Sequence, residues 1–230
     1  MGSKAHHLQK LTESGFRVPP FIVLSRWDVQ WLFAPVLKEV ASIFTEDLTV
    51  VSNDLMDRCE RAQALIVSYE PSSQDLLLLQ RRCLDEFGPG YYISVRSSAL
   101  SEDSAAASFA GQHSTFLYTT AETLVLNIKQ SLASAWGFGA LSYRLHHGMS
   151  IQGIEYAMVL QKMVSASRSG IAFSMNAQGN MADAVINCGY GMGEGIVMDK
   201  VAADCYHVSR ALRRTTRSMV RKEQIGRAHV

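Results

Sequence analysis

The segment 91–115 (YYISVRSSALSEDSAAASFAGQHST) constrains the fold more than any other part of the chain. It opens with the β-rich run 91–95 (YYISV), which follows the turn-forming residues 88–90 (GPG). After the run come Arg96 and several small hydroxyl residues: Ser97, Ser98, Ser101, Ser104 and Ser108. The pattern predicts a strand that delivers one cation into a loop of backbone N–H groups and hydroxyls.

This combination of groups is suited to the oxygens of a polyphosphate. A guanidinium such as that of Arg96 pairs bidentately with such oxygens, and small loop residues let the backbone approach them. The residues alone also allow a simpler interpretation. Arg96 is then a surface charge or a partner in a structural ion pair, and the Ser/Ala-rich segment is an ordinary loop.

Composition excludes several classes of protein. Hydrophobic residues make up 47% of the 230 residues and charged residues 19%, which is typical of a globular chain with a substantial core. The formal net charge of +1 argues against nucleic-acid binding by broad phosphate neutralisation. No apolar run approaches the roughly 20 residues that cross a bilayer, and no export signal opens the chain. We therefore expect no nucleic-acid or membrane partner and a cytoplasmic location, in the cytosol or an organelle stroma.

Cysteine and histidine spacing predicts no metal site. The four cysteines show neither a CxxC pair nor a zinc-ligand spacing, and we expect reduced thiols at Cys59, Cys83, Cys188 and Cys205. His146 and His147 are adjacent, so their side chains point in different directions on a helix, and no carboxylate lies at ligand spacing. We expect both histidines at the surface.

The first part of the chain has helical periodicity. Ala5, Leu8 and Leu11 share one face of a helix that Gly15 ends, and residues 21–24 (FIVL) form a short strand.

Three amphipathic helices are predicted between residues 25 and 87. Ser25 and Asp28 mark the start of the first helix, and residues 54–69 and 73–87 form the other two. Trp27 and Trp31 are expected to be packing residues. We interpret this region as scaffold because it shows no catalytic spacing.

Strands dominate the rest of the chain: residues 116–118, 156–163, 169–174 and 184–187 have strand patterns. Thr119 and Glu122 have capping-box spacing ahead of a helix that carries Leu124, Ile128, Leu132 and Trp136 on one face. Alternation in 156–163 places Gln161 and Lys162 on opposite faces. On its residues alone, Gln161 is either a ligand-reading amide or an ordinary polar residue near a strand end.

The most glycine-dense loop, 189–195 (GYGMGEG), is neither a dinucleotide fingerprint nor a P-loop. Its third glycine has the wrong offset for the first motif, and no Gly-Lys-Ser/Thr follows. We interpret it as a tight turn, with Glu194 and Lys200 as possible site residues.

Several of these motifs together resemble a known family. The ordered matches 95–99 (VRSSA), Glu102-Asp103 and 108–112 (SFAGQ), with Thr115 close behind, are similar to the nucleotide-binding domain of the phosphoenolpyruvate synthase family. Pyruvate phosphate dikinase and rifampicin phosphotransferase are its relatives. The opening block and the Gly-x-Gly-Glu-Gly segment also match, so the resemblance covers about residues 2 to 208.

The resemblance implies a mixed α/β, ATP-grasp-like nucleotide-binding domain, of which this chain holds the N-terminal portion. Residues 1–208 would form the partial domain, with a helical subregion at about 25–87 inserted before 91–115. The cofactors implied are ATP and Mg²⁺. The family's nucleotide-binding positions fall on Lys4, Arg96, Gly111, Thr115 and Gln161, with Gln161 at the adenine. No catalytic residue or metal ligand is assigned within this chain.

The reaction that the resemblance implies converts ATP, pyruvate and water into phosphoenolpyruvate, AMP and phosphate. It passes through a phosphohistidine on a carrier domain that this chain lacks. The acceptor could equally be a rifamycin-type antibiotic or a glucan. Two other interpretations stay open: a non-catalytic ATP-binding fragment or regulatory remnant, and a plain α/β scaffold without a nucleotide site.

The last residues depart from the family pattern. Residues 209–230 form a basic tail, and 225–230 (IGRAHV) do not resemble the family, which suggests a truncated gene model. The metal-binding carboxylate and a Gln-x-Arg strand end are expected in the missing C-terminal half.

Overall fold

The structure is a computed structural model that describes residues 2–44, 53–98, 103–104, 107–108, 115–176, 182–198, 200–209, 211 and 214–218. The chain divides into two compact units, Met1–Met163 and Val164–Val230. Both contain antiparallel sheets, and helices accompany them, so the fold is mixed α/β as predicted.

The first unit contains helices and strands in this order: α1 (Ser3–Glu13), β1 (Phe21–Leu24), α2 (Arg26–Ile43), α3 (Asn53–Ser68), α4 (Ser73–Phe87), β2 (Ile93–Ser97), β3 (Asp103–Ser104), β4 (Ala107–Ser108), β5 (Thr115–Thr119), α5 (Leu124–Ala133), a 3₁₀ turn (Ser134–Trp136), α6 (Phe138–His146) and β6 (Met158–Lys162). Strands β1, β6, β2 and β5 form one antiparallel sheet in that order, and β3 pairs with β4.

One face of the four-stranded sheet packs against the helices. Because side chains alternate along a strand, β2 directs Ile93 and Val95 to this face, and β6 directs Met158 and Leu160 to it. The helices complete the core with buried residues, among them Val29, Phe33, Val36, Leu55, Ile66, Cys83, Ile128 and Leu132. The predicted inward face of α5 is confirmed, since Leu124, Ile128 and Leu132 are all buried.

Two helix ends follow the predicted chemistry. At the start of α2, the Ser25 side chain accepts a hydrogen bond from the Asp28 N–H, and the Asp28 carboxylate accepts one from the Ser25 N–H, which completes a capping box. At the end of α1, Gly15 has φ +79°, and the Phe16 N–H donates to the Leu11 carbonyl. This is a Schellman ending, in which glycine avoids the cost of the left-handed conformation.

Three predictions about local structure were wrong. The capping box at Thr119 does not form, because Thr119 is the last residue of β5, and α5 begins at Leu124 after Thr123. Strand β2 lies at Ile93–Ser97, two residues beyond the predicted run, so Arg96 is inside the strand. Trp27 and Trp31 are not packing residues.

The two tryptophans lie on the outer side of α2. The inward stripe of α2 is formed by Val29, Leu32, Phe33, Val36 and Val40, and positions 27 and 31 fall opposite it. Trp27 is 68% exposed and Trp31 53% exposed. The guanidinium carbon of Arg26 lies 4.4 Å from the centroid of the Trp27 ring, a cation–π arrangement.

The second unit is an antiparallel meander. It contains β7 (Arg168–Phe173), β8 (Ala184–Tyr190), α7 (Gly193–Val197), β9 (Asp204–Ser209) and β10 (Arg214–Ser218), and the strands lie in the order β10-β9-β8-β7. The glycine-dense loop forms the predicted turn: Gly191 has φ +82° between β8 and α7. Glu194 and Lys200 are both exposed.

Across the residues that the structure describes, no helix is both long enough and apolar enough to span a membrane.

Candidate functional site

The candidate site lies on the sheet face of the first unit that points away from the core helices. Ser94 and Arg96 of β2 alternate with the core residues, and so do Val159 and Gln161 of β6. Ser94 is directly opposite Gln161, and Arg96 is opposite Val159. Directly opposed residues of an antiparallel pair lie on the same face, so this face carries a polar row across two central strands.

Arg96 and Gln161 are in direct contact. The Arg96 Nη1 donates to the Gln161 Oε1 at 3.3 Å, and the Ser94 Oγ donates to the Gln161 carbonyl oxygen at 3.4 Å. Gln161 is only 9% exposed, whereas Arg96 is half-buried. The buried amide therefore orients the guanidinium while the guanidinium remains accessible from solvent.

Lys4 reaches the end of the same strand from α1. Its Nζ donates to the carbonyl oxygen of Ser97 at 2.9 Å, next to Arg96 in the chain. The Ala5 N–H donates to the Ser98 Oγ at 3.3 Å, which satisfies one of the N–H groups that a helix start leaves without a helical partner. These contacts hold the N-terminus of α1 at the point where β2 ends.

Gly2 explains why α1 can lie so close to β2. A Cβ atom added at Gly2 would lie 1.7 Å from the carbonyl oxygen of Ser98, so no other residue fits without a shift of the backbone. Ser98 is fully buried, and its N–H donates to the Ala157 carbonyl at 2.8 Å. The anchor for Lys4 is thus a packed element rather than a loose terminus.

Thr115, on the neighbouring strand β5, is directly opposite Arg96 and is exposed. It therefore lies on the same face as Arg96 and Gln161. Gly111 lies outside the residues that the structure describes. Of the five residues predicted for the site, three share this sheet face, and Lys4 contacts its edge.

Sequence reasoning missed the contributions of Gly2 and Ser94, and it named Ser98 among the hydroxyls after Arg96 but not as a partner of α1. The signal for Ser94 was present, because a residue two positions before Arg96 on a strand must share its face. The contact between Gly2 and Ser98 joins residues far apart in the sequence, so no local pattern could have revealed it.

The donors on this face suit a ligand with anionic oxygens and a hydrogen-bonding edge. Arg96 and Lys4 supply positive charge, and the exposed Thr115 supplies a hydroxyl. Among the described residues, no group of three or more His, Cys, Asp or Glu side chains is arranged to hold a metal ion.

The fold and this face define a mixed α/β domain with cationic and amide groups gathered on one antiparallel sheet. The family model for the pyruvate phosphate dikinase AMP/ATP-binding domain matches residues 1–229. The chain belongs to this family of nucleotide-binding domains.

Curated relatives agree with the family. The chain is 29% identical over 224 residues to a probable phosphoenolpyruvate synthase of Archaeoglobus fulgidus. The alignment covers 93% of this chain and 29% of the relative. It is 33% identical over 222 residues to the phosphoenolpyruvate synthase of Aeropyrum pernix, which covers 92% of this chain and 27% of the relative.

A third relative is named for a different activity. The chain is 29% identical over 214 residues to the rifampicin phosphotransferase of Bacillus subtilis, which covers 90% of this chain and 24% of the relative. The chain therefore aligns with less than a third of the length of each of these relatives. Their shared element is the nucleotide-binding part.

Proposed function

We propose that this chain is the ATP-binding portion of a dikinase-type phosphotransferase and that its nucleotide lies on the polar sheet face of the first unit. In this proposal residues 1–208 form part of an ATP-grasp-like domain. Arg96 and Lys4 neutralise phosphate oxygens, Thr115 adds a hydroxyl, and Gly111 allows close approach of the backbone. Gln161 reads the base.

The observation that carries the proposal is the hydrogen bond between Arg96 and Gln161. It joins the cation expected at the phosphates to the amide expected at the base, and both belong to the sheet face that Thr115 shares. A guanidinium has five N–H donors in a fixed planar fork, so Arg96 can contact Gln161 and a phosphate together. The family match supports the same ligand independently.

The hydrogen-bond donors on this face are better suited to binding a polyphosphate than to holding a metal-bound water or to acting as a nucleophile. Phosphoryl transfer depends mostly on positioning and on neutralisation of charge, and Mg²⁺, when bound, would supply part of that neutralisation. Within this chain, Arg96 and Lys4 would bind and orient the phosphates. The well-packed sheet beneath Arg96 would keep that orientation fixed.

The rest of the reaction belongs to the proposal as well. The phosphate would pass to a histidine on a separate carrier domain and then to pyruvate, or to another acceptor such as a rifamycin-type antibiotic or a glucan. None of the roles proposed for these residues involves the acceptor, so the proposal makes no choice among acceptors.

Titration calorimetry with Mg-ATP tests the binding site. We expect Arg96→Met to weaken ATP binding about 10- to 100-fold, because a hydrogen bond to a charged group contributes about 1.5–3 kcal/mol. Arg61→Met is the matched control, since Arg61 is exposed on α3 and should leave the affinity unchanged. Unchanged affinity in Arg96→Met would refute the site.

Base reading by Gln161 is tested with a second nucleotide. Gln161→Leu should reduce the preference for ATP over GTP, because it removes the amide that can donate to and accept from an adenine edge. A phosphotransfer assay with the same protein then tests the alternative of a non-catalytic ATP-binding fragment. Phosphate transfer by this chain unaided would rule that alternative out.

A further inference from the structure

The second unit brings together a thiol, an imidazole and an amide. Cys205 and His207 are two residues apart on β9, so their side chains lie on the same face of the meander. The Cys205 Sγ lies 3.5 Å from the His207 Nε2. The other ring nitrogen, Nδ1, lies 3.4 Å from the Asn176 Nδ2.

This order of groups is that of an activated nucleophile. A thiolate is the reactive form of cysteine, and a positioned imidazole can take the thiol proton. The Nε2 of His207 can take the thiol proton only when the proton of the neutral imidazole is on Nδ1. In that tautomer the Asn176 amide, turned so that its oxygen faces the ring, accepts a hydrogen bond from the Nδ1–H.

The burial of these groups allows a small reagent to reach the sulfur. Cys205, His207 and Asn176 are each half-buried. Cys59 and Cys83 are buried in the core of the first unit, and burial raises the pKa of each of these two thiols to about 11. The four cysteines of the chain thus differ in their surroundings.

Cys188 provides an internal comparison for Cys205. It lies on the neighbouring strand β8, is also half-buried, and faces the opposite side of the sheet, because Asn187 rather than Cys188 is opposite Cys205. Among the hydrogen bonds of the described residues, an imidazole reaches Cys205 and not Cys188. Half-burial is therefore common to both thiols, whereas the imidazole is specific to Cys205.

We propose that Cys205, His207 and Asn176 form a reactive-thiol site whose substrate class is small hydroperoxides. The thiol proton moves to the His207 Nε2, and the sulfur attacks one oxygen of hydrogen peroxide. The S–O bond forms as the O–O bond breaks, and the departing hydroxide takes the proton from the imidazole and leaves as water. The sulfur is oxidised by two electrons to a sulfenic acid, and the peroxide is reduced.

Site-resolved mass spectrometry on the full chain tests this proposal. The protein is treated with a small excess of hydrogen peroxide, sulfenic acid is trapped with dimedone, and the label is quantified at each cysteine over time. We expect Cys205 to be labelled at least about tenfold faster than Cys188, as a positioned base typically contributes about 10²-fold or more. Equal rates at the two cysteines would overturn the proposal.

Two variants identify the source of the reactivity. His207→Gln should lower the Cys205 rate to that of Cys188, and Asn176→Ala should lower it by a smaller factor. Thr216→Val is the matched control, because Thr216 is exposed and directly opposite His207 on β10. It should leave the rate unchanged.

The labelling rate of Cys188 in the same molecules distinguishes a loss of folding from a loss of reactivity at Cys205. If the sheet opened in His207→Gln, Cys188 would become more reactive, and Asn176→Ala would then decide the question alone. A Cys205 rate that stays high in both variants would contradict the proposal.

Discussion

Each of the two units contains a four-stranded antiparallel sheet, but the interactions that stabilise the two sheets differ. The sheet of the first unit has one face covered by helices, and residues such as Leu132, Ile93 and Leu160 are fully buried there. In the second unit, no hydrophobic residue among those that the structure describes is buried. The first sheet is stabilised by apolar burial, whereas the second relies largely on its hydrogen-bonded strand ladders.

The difference matters for the candidate site. Arg96 and Gln161 belong to strands whose other face is packed in the core of the first unit, so their positions are fixed by that packing. The thiol and imidazole of the second unit lie on a sheet whose described residues include no buried hydrophobic side chain. We therefore expect a rigid site in the first unit and a more adaptable one in the second.

The largest expected effect comes from core truncation. Leu132→Ala in the first unit should lower the free energy of unfolding by about 2–5 kcal/mol, since it removes a fully buried side chain and leaves a cavity. Ile186→Ala in the second unit should cost only about 1 kcal/mol, because Ile186 is half-buried.

Hydrogen exchange read by mass spectrometry reports the two units separately. Peptides from β6 should lose protection in Leu132→Ala, and peptides from β8 should change little in Ile186→Ala. Similar losses in both units would show that the second unit has a core of its own.

A smaller loss of stability is expected when the contact that anchors α1 in the first unit is removed. Ser98→Ala should cost about 1–3 kcal/mol, because it leaves the buried Ala5 N–H without its acceptor. Ser68→Ala is the matched control, since Ser68 is exposed on α3. Urea denaturation gives the free energies, and exchange in residues 3–13 shows whether α1 detaches. A cost no larger than that of the control would mean that Ser98 does not anchor the helix.

Alkaline pH should destabilise the first unit through its buried thiols. Burial raises the pKa of Cys83 from 9.0 to about 11, so between these values the unfolded chain loses a proton that the folded chain keeps. Stability is therefore fully present below pH 9 and is lost as the pH rises toward 11. The expected loss at pH 10 is about 1.4 kcal/mol for this thiol.

Urea denaturation at pH 8 and pH 10 measures this loss. Cys83→Ala lowers stability at both pH values through its cavity, but the difference between them should shrink by about 1.4 kcal/mol. Cys59, whose pKa burial also raises to about 11, supplies a second thiol with the same expectation. An unchanged difference in both variants would argue against thiol ionisation as the cause.

These contrasts also show how far the sequence could be read. Helical periodicity predicted α2, α3, α4 and the inward face of α5, because burial on one side leaves a regular apolar stripe. The exposed positions of Trp27 and Trp31 were missed because they were judged by residue type rather than by their place around α2.

The site was predicted residue by residue, but its geometry was not. The resemblance indicated Arg96 and Gln161, yet their mutual hydrogen bond depends on the pairing of β2 with β6, which are distant in sequence. The absence of buried apolar residues in the described part of the second unit was also invisible, since its strands have ordinary apolar content. Burial depends on what covers a strand, and a strand pattern does not record that.

The smallest expected difference between the two units comes from a pair of glycines. Gly15 in the first unit and Gly191 in the second have φ near +80°, and an added Cβ would meet no atom within 4 Å at either position. Replacement by alanine should therefore cost about 1–2 kcal/mol in each unit, from backbone strain alone. Gly139 lies in α6, where it has no positive φ and equally open space. Its replacement by alanine should instead raise the free energy of unfolding by up to about 1 kcal/mol.

Urea denaturation of the three variants, with hydrogen exchange to assign each change to its unit, tests this expectation. A cost at Gly191 much larger than at Gly15 would mean that the turn before α7 bears more of the second unit's stability than strain can explain. Since that unit lacks buried apolar residues in its described part, such a result would identify its turns as the structures that hold the meander together.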